Sequence, residues 1–445
     1  MCAMASEELR RKVGWPGQGV HQVPYRVYTD ADIYREEQQR VFRGPVWSFI
    51  GLESEVPKAG DYVTRYVGDT PVVMVRDEDG AINVLGNQCC HRGNLVCVKN
   101  RGNAEHLTCV YHNWIYDLKG NLTSVAFRRG INKLGGMPDD FEMSGRGMPK
   151  LRVGIYQSMV FASYSDEVEP LHDYLGAEMR DNLDRVVGRK MQLIGTHRQH
   201  MPNNWKLYME NVRDSYHASL LHMFQAAFGI NRLTMDGGIR LNDNGWHHIS
   251  YSIDGTDKEG DTTYSGKNLH AMEHGFALAD PSLIDRWREF ECGTTLAIQS
   301  IFPNFICQQI YNSIALRLCV PKGPDECELI WWLLGPEDDT DEQRNIRVTQ
   351  SNMVGPGGLI SMEDGVIGGW VQRATRNDPD ETTLLVMGGR DVEPSLNSRA
   401  TEVSIRGFWT GWRRIFWRLR GIAKLSGLKA ITTIMTQTGT VAWVQ

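Results

Sequence analysis

Four side chains set the first chemical expectation. Cys89 and His91 form a C-x-H pair, and after seventeen intervening residues Cys109 and His112 form a C-x-x-H pair. Two thiolates and two imidazoles can hold zinc or an iron–sulfur cluster, so the donor set alone does not decide between them. The arrangement favours a [2Fe–2S] centre of the Rieske type, in which two Cys hold one iron and two His hold the other. Each pair here supplies one ligand of each kind, whereas a zinc finger keeps its Cys together and its His together. Gly93 suits the tight loop that brings backbone N–H groups near sulfide. Cys90 and Cys97 fall outside the pattern and read as packing residues, because free cysteine is commonly buried.

The second constellation lies in the helical stretch 204–222, where His217 and His222 follow Asp214. Two His and one carboxylate with open positions make the facial triad of oxygen-activating Fe(II) enzymes. Such a pair on its own reads as two ordinary histidines of an amphipathic helix. Beside a one-electron carrier the balance reverses, because a carrier needs an acceptor. Five residues span about 140° of an α-helix, so a shared ion requires the helix to end, unwind or bulge between the two rings. Asp214, about 60° from His217 on the same face, can accept from the ring nitrogen turned away from the metal. The third ligand must be a carboxylate from elsewhere in the chain. Asp364 is the choice and neighbouring Glu363 the competitor, and sequence barely separates them.

The elements that must position these residues divide the chain in four. Residues 1–45 read as an N-terminal helical segment packing on the catalytic domain, with Asp30 and Asp32 as helix-starting signals. Residues 46–165 carry short β-branched and aromatic runs (62–66, 71–75, 81–85, 106–110) separated by turn signals, the pattern of a small antiparallel β domain. Residues 166–430 mix strand-like runs (294–302, 312–320, 328–334) with helical ones (204–228, 341–352, 360–373), predicting a larger α+β domain. Residues 252–268 read as a surface loop and 431–445 as a C-terminal extension with no assigned function.

Composition narrows the function classes. The 445 residues are 41% hydrophobic and 23% charged, ordinary globular usage. A net charge of −6 argues against a dedicated nucleic-acid binder. No run of ~18 apolar residues predicts a membrane span, and no apolar stretch follows the charged N-terminus to suggest a secretory signal, so a cytoplasmic protein is expected. Nine cysteines, an odd number, do not read as a disulfide framework. Between 403 and 445 there are seven basic residues and no acidic one. A packed terminal helix followed by a loose tail is expected there, with a membrane-surface helix as the lesser reading.

With both sites located, the chain resembles the large (α) subunit of the Rieske non-haem iron aromatic-ring hydroxylating dioxygenases from about residue 23 to 412. Within that family it is most similar to the oxygenases of aromatic carboxylates, those acting on terephthalate foremost and those acting on salicylate, anthranilate and halobenzoates beside them. The segments 202–208, 214–224, 360–365 and 399–402 carry this likeness. The resemblance implies a Rieske domain joined to a helix-grip-like catalytic domain with an antiparallel sheet and surrounding helices. It implies a [2Fe–2S] cluster on Cys89, His91, Cys109 and His112, and a mononuclear Fe(II) on His217, His222 and Asp364. Asp214 then links the mononuclear site to the cluster histidine of a neighbouring subunit in a ring of three, and Asn211 stands beside the iron. Arg317 matches the position that binds the substrate carboxylate, and Arg399 a second arginine that holds a para carboxylate. A guanidinium fork suits bidentate carboxylate recognition, and a dicarboxylate needs two such anchors.

By the same resemblance the chain is an oxygenase component that uses O₂ to cis-dihydroxylate an aromatic carboxylate. Its electrons come from an NAD(P)H-dependent reductase, with or without a ferredoxin, and the assembly is α3 or α3β3 with a small β subunit. Monohydroxylation of salicylate type is the alternative within enzymes. A Rieske electron-transfer protein is the alternative outside them, although a carrier needs only the ~110-residue β domain.

Overall fold

The computed structural model describes residues 2–253, 255–256, 263–264 and 278–418. Most of the surface loop expected over 252–268, and the whole extension expected over 431–445, lie outside the described residues.

The N-terminal segment forms α1 (Cys2–Val13), α2 (Arg26–Thr29) and α3 (Ala31–Glu37), the last running into a π-turn over Gln38–Phe42. Asp30 caps α3 by accepting from the backbone N–H groups of Asp32 and Ile33, satisfying donors that a helix start leaves open. Glu37 at the end of α3 is fully buried and accepts from Lys206 Nζ (2.9 Å), Trp205 Nε1 (3.1 Å) and Trp412 Nε1 (2.8 Å). A buried carboxylate is tolerable only with this many donors. It fastens the N-terminal segment to residues more than 160 positions away.

The β domain holds β1 (Ser48–Leu52), β2 (Asp61–Val67), β3 (Thr70–Arg76), β4 (Ile82–Gly86) and β5 (Arg101–Asn103). It continues with β6 (Leu107–Thr108), β7 (Ile115–Tyr116), β8 (Leu122–Ser124), β9 (Arg152–Tyr156) and β10 (Met159–Ser163). These pair antiparallel in the orders β4-β3-β2-β5, β6-β7-β8 and β1-β10-β9. Side chains of a strand alternate between faces, and β3 uses both. Val72 and Met74 enter the main core, while Val73 and Val75 pack with Cys89, Cys97, Cys109 and Trp114 in a separate small core. The strand expected over 106–110 shrinks to β6, because the chain turns sharply at Cys109.

After α4 (Leu171–Leu175) and α5 (Ala177–Val187) comes the large sheet. Its strands are β11 (Met191–Met201), β12 (Gly237–Leu241), β13 (His248–Ile253), β14 (Thr294–Ile301), β15 (Phe305–Ile310), β16 (Ser313–Pro321) and β17 (Cys327–Pro336). All seven are antiparallel in the order β11-β17-β16-β15-β14-β13-β12. The helical run expected over 204–228 is instead three pieces, α6 (Trp205–Arg213), α7 (Ala218–Leu221) and α8 (Met223–Ala227). Later come α9 (Asp341–Val354), α10 (Leu359–Asn377) and α11 (Val403–Phe416). The aromatic face of α11, including Phe408, Trp409, Trp412 and Phe416, is buried in the main core, so this helix packs inward rather than presenting an apolar face to a membrane surface, while the rest of the basic stretch, 419–445, lies outside the described residues. No helix among the described residues is long and apolar enough to cross a membrane.

One close approach matters for the site. Gly365, Gly368 and Gly369 of α10 lie against Met201, Asn203 and Pro202 at the end of β11 and just before α6. A Cβ on Gly368 would meet Asn203 Oδ1 at 2.8 Å, and one on Gly369 would meet Pro202 Cγ at 3.1 Å. A side chain at either position would make those neighbours shift. The glycines therefore let α10, which bears Glu363 and Asp364, sit tight beside α6.

Candidate metal centres and substrate pocket

The two ligand loops of the β domain are built alike. Cys89 O accepts from Gly93 N (2.9 Å) and Cys89 N donates to Asn94 O (2.8 Å). Cys109 O accepts from Asn113 N (2.9 Å) and Cys109 N donates to Trp114 O (2.9 Å). Each loop closes on a left-handed residue, Gly93 (φ 76°) and Asn113 (φ 50°), types that tolerate that conformation. The sulfurs are buried, at 3% exposure for Cys89 and 1% for Cys109, and Cys89 Sγ lies 3.0 Å from the Tyr116 hydroxyl. The imidazoles of His91 and His112 stand together nearer the surface, ring centroids 4.5 Å apart, and His91 stacks on Trp114. Burial, with help from His112 and Arg92, pushes the His91 imidazole down, which favours the neutral form that ligates metal.

Cys97 is packed as expected, and burial pushes its thiol up to about 12. Cys90 is not. It is exposed at the tip of its loop, where its backbone N–H is taken by the Tyr116 hydroxyl at 3.1 Å. A residue between two ligands on a tight turn has no interior to enter.

In the larger domain the chain breaks twice around α7. Asp214 leaves α6 with an extended backbone and accepts from Tyr216 N (2.9 Å) and His217 N (3.3 Å). His217 is then the residue before the single turn of α7, and His222 the residue after it. Those breaks turn both rings onto Asp364, overcoming the angle that a continuous helix would impose. His217 Nε2 and His222 Nε2 lie 3.5 and 3.3 Å from Asp364 Oδ1. The ligand atoms of His217, His222 and Asp364 all fall within 4.8 Å of one another, the one such group of His, Cys, Asp or Glu among the described residues.

Both rings are held from behind by carboxylates. His217 Nδ1 lies 3.3 Å from Asp214 Oδ2, and His222 Nδ1 lies 2.6 Å from Glu363 Oε2. Glu363, the competitor for third ligand, therefore sits behind His222 while Asp364 faces both Nε2 atoms. Asn211 Nδ2 donates to Asp364 Oδ1 at 3.1 Å. Burial alone would depress His217, but Asp214 and Asp364 pull it up to about 10. Burial would raise Asp364, yet His217 and His222 hold it well below the usual carboxylate range. Three carboxylates around two imidazoles make a site that draws positive charge.

A cavity opens on this cluster. Its wall includes His217, His222 and Asp364, and also Arg317 and Arg399. Both guanidiniums are buried, at 4% and 2% exposure. Arg317 Nη1 donates to the Tyr208 hydroxyl (2.7 Å) and its Cζ lies over the Trp331 ring at 4.7 Å. Arg399 donates to Asn231 Oδ1 and to Arg232 O, and Asn231 in turn donates to Gln225 Oε1 at 3.0 Å.

Residues 46–134 match the family of the Rieske [2Fe-2S] domain, and residues 189–416 match the ring hydroxylating alpha subunit (catalytic domain). The chain is 46% identical over 403 residues to "Terephthalate 1,2-dioxygenase, terminal oxygenase component subunit alpha 2" of Comamonas sp, covering 90% of this chain and 97% of that one. The family is settled by that. The chain belongs to the Rieske ring-hydroxylating dioxygenase α subunits.

Two further α-type relatives are the anthranilate 1,2-dioxygenase large subunit of Burkholderia cepacia and the large oxygenase component of salicylate 5-hydroxylase of Ralstonia sp. The first is 44% identical, over 92% of this chain and 97% of its own. The second is 37% identical, over 90% and 96%. Naphthalene 1,2-dioxygenase from Rhodococcus sp. shares the fold, with a TM-score of 0.75 at 23% identity over 92% of this chain and 98% of that one.

An α subunit of this family carries a Rieske [2Fe–2S] cluster and a mononuclear non-haem iron, and the residues fit both. Among the described residues, no three of Cys89, His91, Cys109 and His112 offer ligand atoms as close together as the His217 group does. The two imidazoles pair with one another and the two sulfurs are buried beneath, an arrangement that suits one iron on each pair. At the other site two Nε2 atoms and a carboxylate converge, with both Nδ1 atoms already engaged, as a facial triad requires. Sequence reasoning missed the role of Glu363 and the polar residues Asn231, Gln225 and Gln308 of the cavity wall. A carboxylate behind each metal histidine is a general rule that could have found Glu363.

Proposed function

We propose that the protein is the terminal oxygenase component that cis-dihydroxylates an aromatic carboxylate, terephthalate first. The observation that carries this is the pair of buried guanidiniums, Arg317 and Arg399, in the same cavity wall as His217, His222 and Asp364. Arg317 forms no salt bridge to a carboxylate among the described residues, so a buried cation awaits an anion. Relatives named for terephthalate, anthranilate and salicylate all act on ring carboxylates, which is the chemistry such a fork recognises.

In this reading Arg317 binds one carboxylate and Arg399 the one para to it, fixing the ring over the metal-facing side of the cavity. When bound, the cluster supplies single electrons and the ferrous ion, with open positions, supplies O₂ activation. Asp214 and Glu363 keep the protons of His217 and His222 on Nδ1, so each Nε2 stays available. Asn211 holds the Asp364 carboxylate in place. The balance is ring plus O₂ plus two electrons and two protons, giving a cis-dihydrodiol. The electrons come from an NAD(P)H-dependent reductase, directly or through a ferredoxin. Three α subunits, with or without a small β subunit, would set His112 against the partner subunit's Asp214, making a hydrogen-bonded route between centres. We place the protein in the cytoplasm, where such a reductase operates.

The test is oxygen uptake by anaerobically purified protein with a reductase and a panel of terephthalate, phthalate, isophthalate, benzoate, salicylate and anthranilate. Terephthalate should be consumed and should gain both atoms of ¹⁸O₂. A single labelled atom would instead favour the salicylate-type monohydroxylation, and no uptake with any carboxylate overturns the reading. Arg399→Ala should impair terephthalate far more than benzoate. Equal loss on both removes Arg399 as the para anchor.

A further inference from the structure

The sheet beneath the metal site carries, on the cavity wall, a polar side chain that its own neighbours do not explain. Gln308 of β15 is 3% exposed and lines the same cavity as His217, His222, Asp364, Arg317 and Arg399. Among the described residues its Nε2 has no hydrogen-bond partner, and neither has Arg317 Nε. The register explains why both face one space. Arg317 of β16 lies opposite Ile306 of β15, and Gln308 is two residues further along, so it is a diagonal neighbour on the same face.

Two other glutamines of this sheet show what a structural amide does here. Gln309, on the opposite face of β15, gives its Nε2 to Thr294 O (3.0 Å) and Tyr311 O (3.1 Å). Gln299 of β14 gives its Nε2 to Met179 O at 2.9 Å. Both are satisfied within the fold. Only Gln308 of the three is aimed into the cavity, and only its donor is left over. A buried donor without an acceptor is costly, so such a group is retained where a ligand completes it.

We propose that Gln308 is a further substrate-recognition residue, whose amide N–H donates to the carboxylate held by Arg317. The neutral amide adds a second, directional donor beside the cation. A carboxylate has acceptor sites enough for both. The inference rests on the aromatic-carboxylate reading and deepens it.

The experiment is calorimetric binding of benzoate, terephthalate and toluene to the anaerobic holoenzyme, with wild type, Gln308→Met, Gln308→Glu and Arg317→Met. Gln308→Met keeps the size and removes the donor. It should weaken benzoate and terephthalate about tenfold, the scale of a hydrogen bond to a charged group, and leave toluene and the melting temperature unchanged. Gln308→Glu should be weaker still, because it sets a carboxylate against a carboxylate. Wild-type affinity for both acids in Gln308→Met, with Arg317→Met impaired, overturns this inference and leaves the carboxylate reading standing. Equal losses on toluene and on the acids would show that Gln308 merely shapes the cavity, which also overturns it. Failure of wild type to bind either acid brings down the carboxylate reading itself.

Discussion

The two metal centres are built on opposite plans. At the candidate [2Fe–2S] site the proposed ligands ride on two matching turns between short strands, with sulfurs buried and imidazoles near the surface. At the mononuclear site they ride on the ends of a broken helix and one neighbouring helix, with carboxylates braced behind both rings. The first plan serves a group that must exchange electrons with something outside the domain. The second serves a group that must meet O₂ and an aromatic ring away from bulk water. The turns are self-supporting, whereas the broken helix depends on distant residues to hold its rings.

That contrast can be broken outright at one residue. His217→Ala should abolish hydroxylation while the red-brown colour and the reduced-cluster EPR signal persist, showing that the centres are separable. Turnover retained in that variant excludes His217 as a ligand. Next in size, Glu363→Gln should lower iron affinity by about 10–100-fold, read as iron lost on dialysis against a chelator, with the cluster intact. Unchanged retention would mean that the brace behind His222 is dispensable.

A smaller effect probes the other plan. Tyr116→Phe removes the hydroxyl beside Cys89 Sγ and should lower the cluster potential by roughly tens of millivolts, without loss of iron. The smallest concerns Glu210 on α6, which Tyr28 (2.6 Å) and Trp409 (2.8 Å) hydrogen-bond. Burial raises its carboxyl from 4.5 to about 7, so the folded chain holds that proton more tightly than the unfolded one. Its contribution is fully present below about pH 4.5 and is lost as pH rises through about 7. Glu210→Gln should therefore flatten the fall in melting temperature over that window.

The sequence displayed the candidate ligands better than their supports. Cys89, His91, Cys109 and His112 are local in the chain, so their spacing could be read directly. The five-residue gap between His217 and His222 foretold a broken helix, because ideal geometry could not serve both rings. The structure puts the breaks at Asp214 and His222. Glu363 and Asp364 were nearly indistinguishable, since adjacent residues on α10 differ only by which side of the helix they face. That side is fixed by how α10 lies against α6, which no local pattern states. Gln308 was invisible for a related reason: its meaning lies in the register between β15 and β16. The strands β11, β12, β13 and β15 also escaped the reading; in β15 Gln308 and Gln309 interrupt the apolar run.

The contact between Gly368, Gly369 and residues 202–203 carries a further consequence. Little room is left there for another carbon atom, so one added methyl would press α10 away from the segment that leads into α6, and both helices bear residues of the same candidate site. Substitution at those two positions should thus lower iron content, though neither glycine supplies a donor atom. A screen for inactive variants that still fold would find them by their effect on iron content, well before any chemistry at the ring is tested.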